Sequence, residues 1–176
     1  MKRIFLFFAA IISFAFFMGC NEKLPSNMPQ LYQLTLTVIQ DGKPLDKATV
    51  QLVRKDTKSQ WGGTGFCDAS GNAEIYTQGK YKGVPAGIYS IIVTKYFTEP
   101  SKYEGQPIPD PKKDLTAYED WMRALDSENL ISYSLVELKY GSVDTTPLSI
   151  EVGKNEKPQP IDVGKSVRLK IQKEKN

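Results

Sequence analysis

The chain has 176 residues, with 23 lysine and arginine side chains against 20 aspartate and glutamate side chains, and it contains no histidine. The absence of histidine excludes Ser-His-Asp and Cys-His catalysis, histidine-ligated zinc and pH switching by an imidazole. The nearly balanced charge favours no nucleic-acid partner, since phosphate binding needs a clustered basic face.

The first nineteen residues have the pattern of a secretory signal peptide. Lys2 and Arg3 precede an uncharged run, residues 4–19, which is short for a membrane span. The run ends directly before Cys20, and Phe17-Met18-Gly19-Cys20 resembles a bacterial lipobox, in which the cysteine is diacylated and becomes the new N-terminus. We therefore expect cleavage before Cys20 and a lipid on this cysteine; an ordinary signal peptide with an incidental cysteine is the alternative.

Lipidation would attach the mature chain to a membrane. Two or three acyl chains anchor a protein stably, since each buried methylene contributes about 0.8 kcal/mol. Residues 20–33 then comprise the lipidated cysteine and a polar tether with two prolines. In a Gram-negative cell the absence of Asp after Cys20 resembles the sorting pattern for the outer membrane. We expect an exported protein that is lipid-anchored in the bacterial cell envelope.

The body of the chain predicts short β-strands separated by turns. In residues 34–40 apolar and polar positions alternate, so Leu34, Leu36 and Val38 should face a core. In residues 48–54 the same period places Ala48, Val50 and Leu52 inward, whereas the apolar run 88–94 predicts a central strand buried on both faces. The remaining predicted strands are residues 61–67, 73–77, 147–152 and 161–171.

These seven or so strands predict an all-β fold. Strands of this length with turns between them are typical of an antiparallel Greek-key β-sandwich, here a single domain over residues 34–172 with an insertion at about 96–140. In the turn 41–44, Gly42 can adopt a positive φ and Pro44 should block ladder pairing.

Three motifs mark the turns and strand starts of this pattern. They are Asp41-Gly42-Lys43-Pro44-Leu45-x-x-Ala48-x-Val50-x-Leu52, Asp68-Ala69-x-Gly71, and Gly83-Val84-Pro85-Ala86-Gly87-x-Tyr89-x-Ile91-x-Val93. Together they resemble the carboxypeptidase regulatory-like, or transthyretin-like (prealbumin-like), domains of exported bacterial proteins. The resemblance covers residues 34–95. It implies a mostly non-catalytic accessory fold that commonly occurs in lone lipoproteins.

Residues 96–140 interrupt the compact pattern of that family. Four prolines in residues 99–113 predict an extended loop, and residues 114–125 predict a helix that Asp114 caps, with Thr116 and Glu119 as an alternative capping box. The helix has an apolar stripe composed of Leu115, Tyr118, Trp121, Met122 and Leu125. We expect this stripe to dock on the sandwich and cover a sheet edge.

The insertion is also rich in aromatic residues. It holds seven of the thirteen aromatic residues that follow Cys20, namely Tyr96, Phe97, Tyr103, Tyr118, Trp121, Tyr133 and Tyr140. Long loops on a rigid scaffold commonly carry recognition, and aromatic rings stack on sugars or anchor protein partners. We predict Tyr96, Tyr103 and Tyr118 to be exposed ligand contacts, and Trp121 to pack inward.

Cys67 and a loop of oxygen ligands are weaker candidate sites. Cys67 has no neighbouring base or cation in the sequence, so we expect a buried thiol that forms no internal disulfide once Cys20 is lipidated. Asp68-x-Ser70-x-Asn72-x-Glu74 alternates oxygen ligands as calcium loops do, but it lacks the later bidentate glutamate of an EF-hand. A hairpin turn explains these residues better, and we expect no metal and no cofactor.

The acidic residues of the insertion allow an alternative function. A carboxylate-dependent hydrolase would use two acids of segment 110–128, whose members are Asp110, Asp114, Glu119, Asp120, Asp126 and Glu128. A solvated face is the favoured interpretation, because basic residues intervene. The sequence thus predicts a non-catalytic binding or structural module of the cell envelope, with a glycan or a protein as ligand; an insertion that packs against a second copy of itself is a third possibility.

Overall fold

A computed structural model of the chain describes residues 25–56, 61–153 and 160–171. Within these ranges the strands are β1 Leu31–Tyr32, β2 Thr35–Gln40, β3 Lys43–Pro44, β4 Thr49–Arg54, β5 Gly63–Phe66, β6 Asn72–Glu74, β7 Tyr76–Thr77, β8 Tyr81–Lys82, β9 Val84–Pro85, β10 Gly87–Thr94, β11 Tyr96–Thr98, β12 Ser132–Ser134, β13 Ser149–Val152, β14 Ile161–Asp162 and β15 Leu169–Ile171. The helix α1 is Leu115–Asp126, and a 3-10 helix covers Leu138–Gly141.

Two sheets enclose the core, which confirms the predicted all-β sandwich. The larger sheet has six strands in the order β13-β10-β4-β5-β7-β8, and the second sheet has the order β14-β2-β3, with β6 also paired to β2. The ladders of both sheets are antiparallel except that of β14 and β2, which is parallel. Strands β1 and β9 form a separate two-stranded ladder.

The alternation in two of the strands was predicted correctly. Leu36 and Val38 on β2 are fully buried, and so are Val50 and Leu52 on β4, while their neighbours along each strand lie nearer the solvent. Burying a leucine or valine side chain stabilises a fold by about 1.5–3 kcal/mol. Facing rows of such residues hold the two sheets together.

The prediction that residues 88–94 are buried on both faces was wrong. Strand β10 lies between β4 and β13, and Tyr89, Ile91 and Val93 are buried on its inner face. On its outer face Ile88 is 52% exposed and Ile92 is half-buried. Ser90 on the same face is buried, so the outer face is covered only in part. A run of apolar residues along one strand contains no information on how far its second face is covered.

The turn after β2 is tighter than the sequence indicated. Asp41 and Gly42 both have positive φ angles, 52° and 70°, as in the two-residue hairpin turns that fit the twist of β-strands. Pro44 lies opposite Ile39, so the prediction that it blocks pairing was wrong. A proline is tolerated here because β3 is the edge of its sheet, where the missing N–H costs no ladder bond.

The sequence predicts one strand over residues 161–171. The structure instead has two strands there, in different sheets. Strand β14 pairs with β2, whereas β15 pairs with β12 in a third sheet of order β11-β12-β15. Between them Ser166 donates its backbone N–H to the Asp41 carboxylate at 2.9 Å, and the Gln40 side-chain amide donates to the carbonyl of Leu135 at 2.9 Å. These bonds fix the third sheet against the sandwich.

The chain also crosses from one sheet to the other at Ile75. Residues on β6 pair with β2, and two residues after β6 ends Tyr76 pairs with Thr64 of β5. The fully buried Ile75 side chain fills the core between them. The crossing lies close to β5, because a Cβ at Gly65 would overlap the carbonyl oxygen of Glu74.

Gly65→Ala should therefore destabilise the protein strongly. The added methyl group would overlap backbone, and overpacking of this kind costs about 1–3 kcal/mol. Gly141→Ala is the control, because its added Cβ would lie 3.7 Å from Thr94, an ordinary contact. We expect chemical denaturation to show a lower free energy of unfolding for the first variant only. Equal stability of the two variants would contradict the crossing geometry.

Candidate functional site

The insertion is built on a β-hairpin that continues out of the sandwich. Strand β11 begins two residues after β10 ends and pairs with β12 along the register Tyr96–Ser134, Phe97–Tyr133 and Thr98–Ser132. The backbone N–H of Glu99 extends this ladder to the carbonyl of Ile131 at 3.0 Å. The hairpin therefore holds both ends of the intervening loop and helix.

The predicted helix is confirmed, with the predicted cap. The Asp114 carboxylate accepts the backbone N–H of Ala117 at 2.9 Å, which satisfies one of the free donors of the first turn. At the other end, Glu128 accepts the hydroxyl of Ser101 and the backbone N–H of Lys102. These bonds lower the pKa of Glu128 and tie the proline-rich loop to the end of α1.

The prediction that the helical stripe docks on the sandwich was wrong. None of the residues of α1 is buried, and Leu115 and Met122 on the stripe are 58% and 39% exposed. Tyr118 and Trp121, both half-buried, stack on one another with ring centroids 6.4 Å apart. An amphipathic stripe indicates that a face needs a partner, but this one is covered only in part, since Leu115 and Met122 remain exposed.

The structure places the three tyrosines proposed as ligand contacts in three parts of the insertion. Tyr96 lies on β11 and is 59% exposed. Tyr103, in the loop, and Tyr118, on α1, are half-buried, and the ammonium group of Lys102 lies 4.8 Å from the Tyr103 ring centroid. The structure describes no ring contact that joins Tyr96 to either of the other two. Their role as ligand contacts stays a prediction.

A cluster of two rings, an arginine and a carboxylate fixes the third sheet. Phe97 and Tyr133 stack across the strands, and the guanidinium of Arg168 lies 5.2 Å and 4.2 Å from their centroids. Glu99 accepts the Tyr133 hydroxyl at 3.0 Å and pairs with Arg168 at 3.6 Å. Such cation–π contacts each contribute about 0.5–1 kcal/mol at exposed sites.

Sequence reasoning missed this cluster. Arg168 belongs to the segment after the insertion, and only the register of β12 with β15 places it over the rings. The third sheet also has apolar side chains on both faces, since Tyr96 and Leu169 share one face and Phe97 lies on the other. Phe97 is 41% exposed and Leu169 is 38% exposed. The insertion therefore presents rings in fixed positions to the solvent.

Three cavities lie in the described part of the sandwich. Two of them, of about 420 Å³ and about 450 Å³, lie on the outer side of β5 and β7 and share Thr64, Tyr76 and Gly79 as lining residues. The third, of about 250 Å³, opens between the two sheets beside Leu36 and Ile91.

None of the six acids proposed for the hydrolase alternative lines these three cavities. Asp110 accepts the backbone N–H of Lys112, Asp114 caps α1, and Asp120 pairs with Arg123 at 2.6 Å. These bonds are local to the loop and the helix, as expected for a solvated face.

The Asp68–Glu74 segment forms the expected hairpin turn. Asp68 accepts the backbone N–H groups of Ser70 and Asn72 at 2.8 Å and 2.9 Å, and Gly71 has a φ of 74°. Glu74 is held by Lys82 at 2.7 Å, which lowers the pKa of its carboxyl. The described residues contain no group of three or more side chains that could hold a metal ion.

Comparisons with known proteins found no match: no family model, no curated protein and no solved structure matches the chain. None of the helices in the described residues has both the length and the apolar character needed to cross a bilayer. The predicted signal peptide and Cys20 lie outside the described residues. The predicted tether lies partly inside them and differs from expectation, since Met28 is buried and β1 already pairs with β9.

Cys67 is buried, as predicted, and its thiol should be unreactive. Burial, with a smaller contribution from Asp68, raises the pKa of this thiol from 9.0 to about 11. A two-unit rise lowers the thiolate fraction at pH 8 about a hundredfold, and burial also blocks access. In a Cys20→Ala variant, we expect iodoacetamide to label Cys67 at least about a hundredfold more slowly in the native protein than in guanidinium.

The same shift predicts how stability changes with pH. The pKa of this thiol is higher in the folded state than in the unfolded state. Its contribution to the free energy of unfolding is therefore fully present below the unfolded pKa and is lost as pH rises from about 9 to about 11. Cys67→Ala should remove this part of the decline in a denaturation series. Equal labelling rates in the native and unfolded protein would contradict the buried thiol.

Proposed function

We propose that this protein is a lipid-anchored component of the bacterial cell envelope whose non-catalytic, transthyretin-like sandwich presents the insertion to a glycan or protein ligand. The observation that carries the proposal is the third sheet, which leaves the sandwich with Tyr96 and Phe97 exposed. The aromatic residues Tyr89 and Tyr140, by contrast, are buried in the core. Exposed rings on a braced sheet are typical of contact surfaces.

The contacts that hold the rings in place support a binding role, because they reduce the conformational entropy that the side chains lose when a ligand binds. Arg168 and Glu99 already hold the rings of Phe97 and Tyr133, and Glu128 holds the loop that contains Tyr103. Binding to such a surface immobilises few additional side chains, and each one that must be immobilised costs about 0.5–1.5 kcal/mol. We call the part of the insertion that contains Tyr96, Phe97, Tyr103, Tyr118 and Tyr133 the insertion surface; Tyr96 lies on the opposite face of the third sheet from Phe97 and Tyr133.

The transthyretin-like assignment is supported by what its motifs do in the fold. Asp41 and Gly42 form the hairpin between β2 and β3, and Gly71 forms the turn before β6. Gly87 begins β10, and the Tyr89 hydroxyl donates to the carbonyl of Pro85 at 2.7 Å across the preceding loop. The exported, anchored state is supported by the signal-peptide and lipobox pattern that ends at Cys20.

The lipid anchor predicts a simple fractionation result. Cys20→Ala should move the protein from the membrane fraction to the soluble fraction and abolish incorporation of labelled palmitate, because the modified thiol is absent. Cys67→Ala is the matched control and should leave both properties unchanged, since that thiol is buried in the sandwich. Membrane retention and labelling of the Cys20 variant would contradict the proposed anchor.

Binding by the insertion surface can be tested on glycan and peptidoglycan arrays. We expect residues 21–176, which lack Cys20, to give a specific signal that Tyr96→Ala, Tyr103→Ala or Tyr118→Ala weakens at least about tenfold, as for central aromatic contacts. Tyr32→Ala is the control, because Tyr32 is 37% exposed and lies outside the insertion.

A blank array from a folded sample would favour a protein ligand, which cross-linking in cells would identify. Unchanged binding by all three insertion variants would contradict the assignment of the surface. Sizing of the same sample would show whether the insertion packs against a second copy.

A further inference from the structure

The crossing of the chain at Ile75 creates a groove on the outer side of the larger sheet. Strand β5 pairs with β7 at Thr64, but farther along the strand its neighbour is β6, which belongs to the second sheet. The two outer cavities, of about 420 Å³ and about 450 Å³, share Thr64, Tyr76 and Gly79 as lining residues, so they adjoin one another. We call the two together the β5 groove.

Phe66 stands at one end of the β5 groove. Its side chain is 73% exposed, the highest value for a large apolar residue in the described ranges, and no other described ring or cation stacks on it. It lines the groove together with polar side chains. A solvated phenyl face beside hydrogen-bonding groups is suited to a ligand that is apolar on one face and polar at its edges.

The polar lining supplies both donors and acceptors. Asn72, Glu74 and Tyr76 line the part near Phe66, and Gln51 and Gln78 line the other part. These groups can form hydrogen bonds with the hydroxyl groups of a ligand, since a hydroxyl both donates and accepts hydrogen bonds. An apolar partner would leave them buried without partners, at a cost.

Several of these side chains are already held in place. The Thr37 hydroxyl donates to the Asn72 side-chain oxygen at 2.7 Å, and Glu74 accepts the Tyr76 hydroxyl at 2.9 Å and the Lys82 ammonium group at 2.7 Å. A preorganised polar set costs little to use in binding.

The charge of the groove disfavours an anionic ligand, although the Lys82 ammonium group pairs with Glu74 at 2.7 Å. Its charged lining residues are Asp68 and Glu74, and neither cavity is lined by a lysine or an arginine. An anion would therefore meet like charge, while a neutral ligand would not. The occupant needs an apolar face, many hydroxyl groups and no negative charge, and the pyranose rings of a neutral oligosaccharide meet all three requirements.

We propose that the β5 groove binds a neutral oligosaccharide, with Phe66 stacked on the apolar face of one sugar ring and Asn72, Tyr76 and Gln51 bonded to hydroxyl groups. This site is separate from the insertion surface, and it stands whether or not that surface binds a ligand. No group is transferred and no bond is broken; the role is recognition.

The test uses the full mature chain in a zwitterionic detergent without sugar headgroups. Calorimetric titration with maltohexaose, cellohexaose, laminarihexaose and mannohexaose should give binding with at least one of them. Phe66→Ala should weaken it at least about tenfold, and Phe66→Tyr should retain it. Tyr32→Ala is the matched control, since Tyr32 is an exposed aromatic residue outside both the groove and the insertion surface, and it should bind as the wild type does. Thermal denaturation confirms that each variant is folded.

Three outcomes would overturn the proposal. One is the absence of binding with all four hexasaccharides at millimolar concentration. Another is binding that survives Phe66→Ala but is lost with Phe97→Ala or Tyr103→Ala, which would place the sugar on the insertion surface and support the proposed function instead. The last is equal affinity for a hexamer of galacturonic acid, because an anionic ligand contradicts the charge of the groove.

Discussion

The sandwich depends on two glycines, Gly63 and Gly65, which leave space where the chain crosses from one sheet to the other. Residues 72–77 pair first with β2 and then with β5, so they must pass beneath β5 at short range. A Cβ at Gly63 would overlap the side chains of Val84 and Ile75, and one at Gly65 would overlap the backbone of Glu74. With hydrogen at both positions, Ile75 fills the centre of the core and both sheets keep their ladders. The groove beside Phe66 is a consequence of the same crossing.

Strand β10 connects this core to the third sheet and the insertion. Its inner face contributes Tyr89, Ile91 and Val93 to the core, and two residues beyond its end the chain becomes β11 of the third sheet. Lys95, at the junction, donates to the Asp46 carboxylate at 2.8 Å and accepts the backbone N–H of Leu135 at 2.8 Å through its carbonyl. The insertion therefore continues directly from β10 into the third sheet. This explains how its rings stay in fixed positions without being buried.

The features that the sequence predicted correctly are determined by neighbours along the chain. Inward positions on β2 and β4 follow from a period of two, and the start of α1 follows from Asp114 and the residues just after it. The burial of Cys67 followed in the same way, from the lack of a nearby base or cation.

The features that failed or were missed depend on distant contacts. Arg168 stacks on Phe97, 71 positions earlier in the chain, and no local pattern contains that pairing. Local sequence does not determine how far a face is covered: on the outer face of β10 Ile88 is 52% exposed while Ser90 is buried, and none of the residues of α1 is buried. The exposure of Phe66 could not be predicted for a related reason. In the run Gly63-Thr64-Gly65-Phe66 the buried face consists of glycines, so alternation of apolar and polar residues does not reveal which side faces the solvent.

The register of the larger sheet relates both proposed surfaces to the proposed anchor. The chain enters the fold through β1, which pairs with β9, and β10 begins two residues after β9. The insertion leaves from the other end of β10, about 23 Å away at the rise of an extended strand. Thr94, Thr49 and Phe66 are aligned across β10, β4 and β5, so Phe66 lies level with the end from which the insertion leaves. A lipid on Cys20 would hold the sandwich by its β1 end. The insertion surface and the ring of the β5 groove would then lie at the far end, where a ligand meets no steric hindrance from the bilayer.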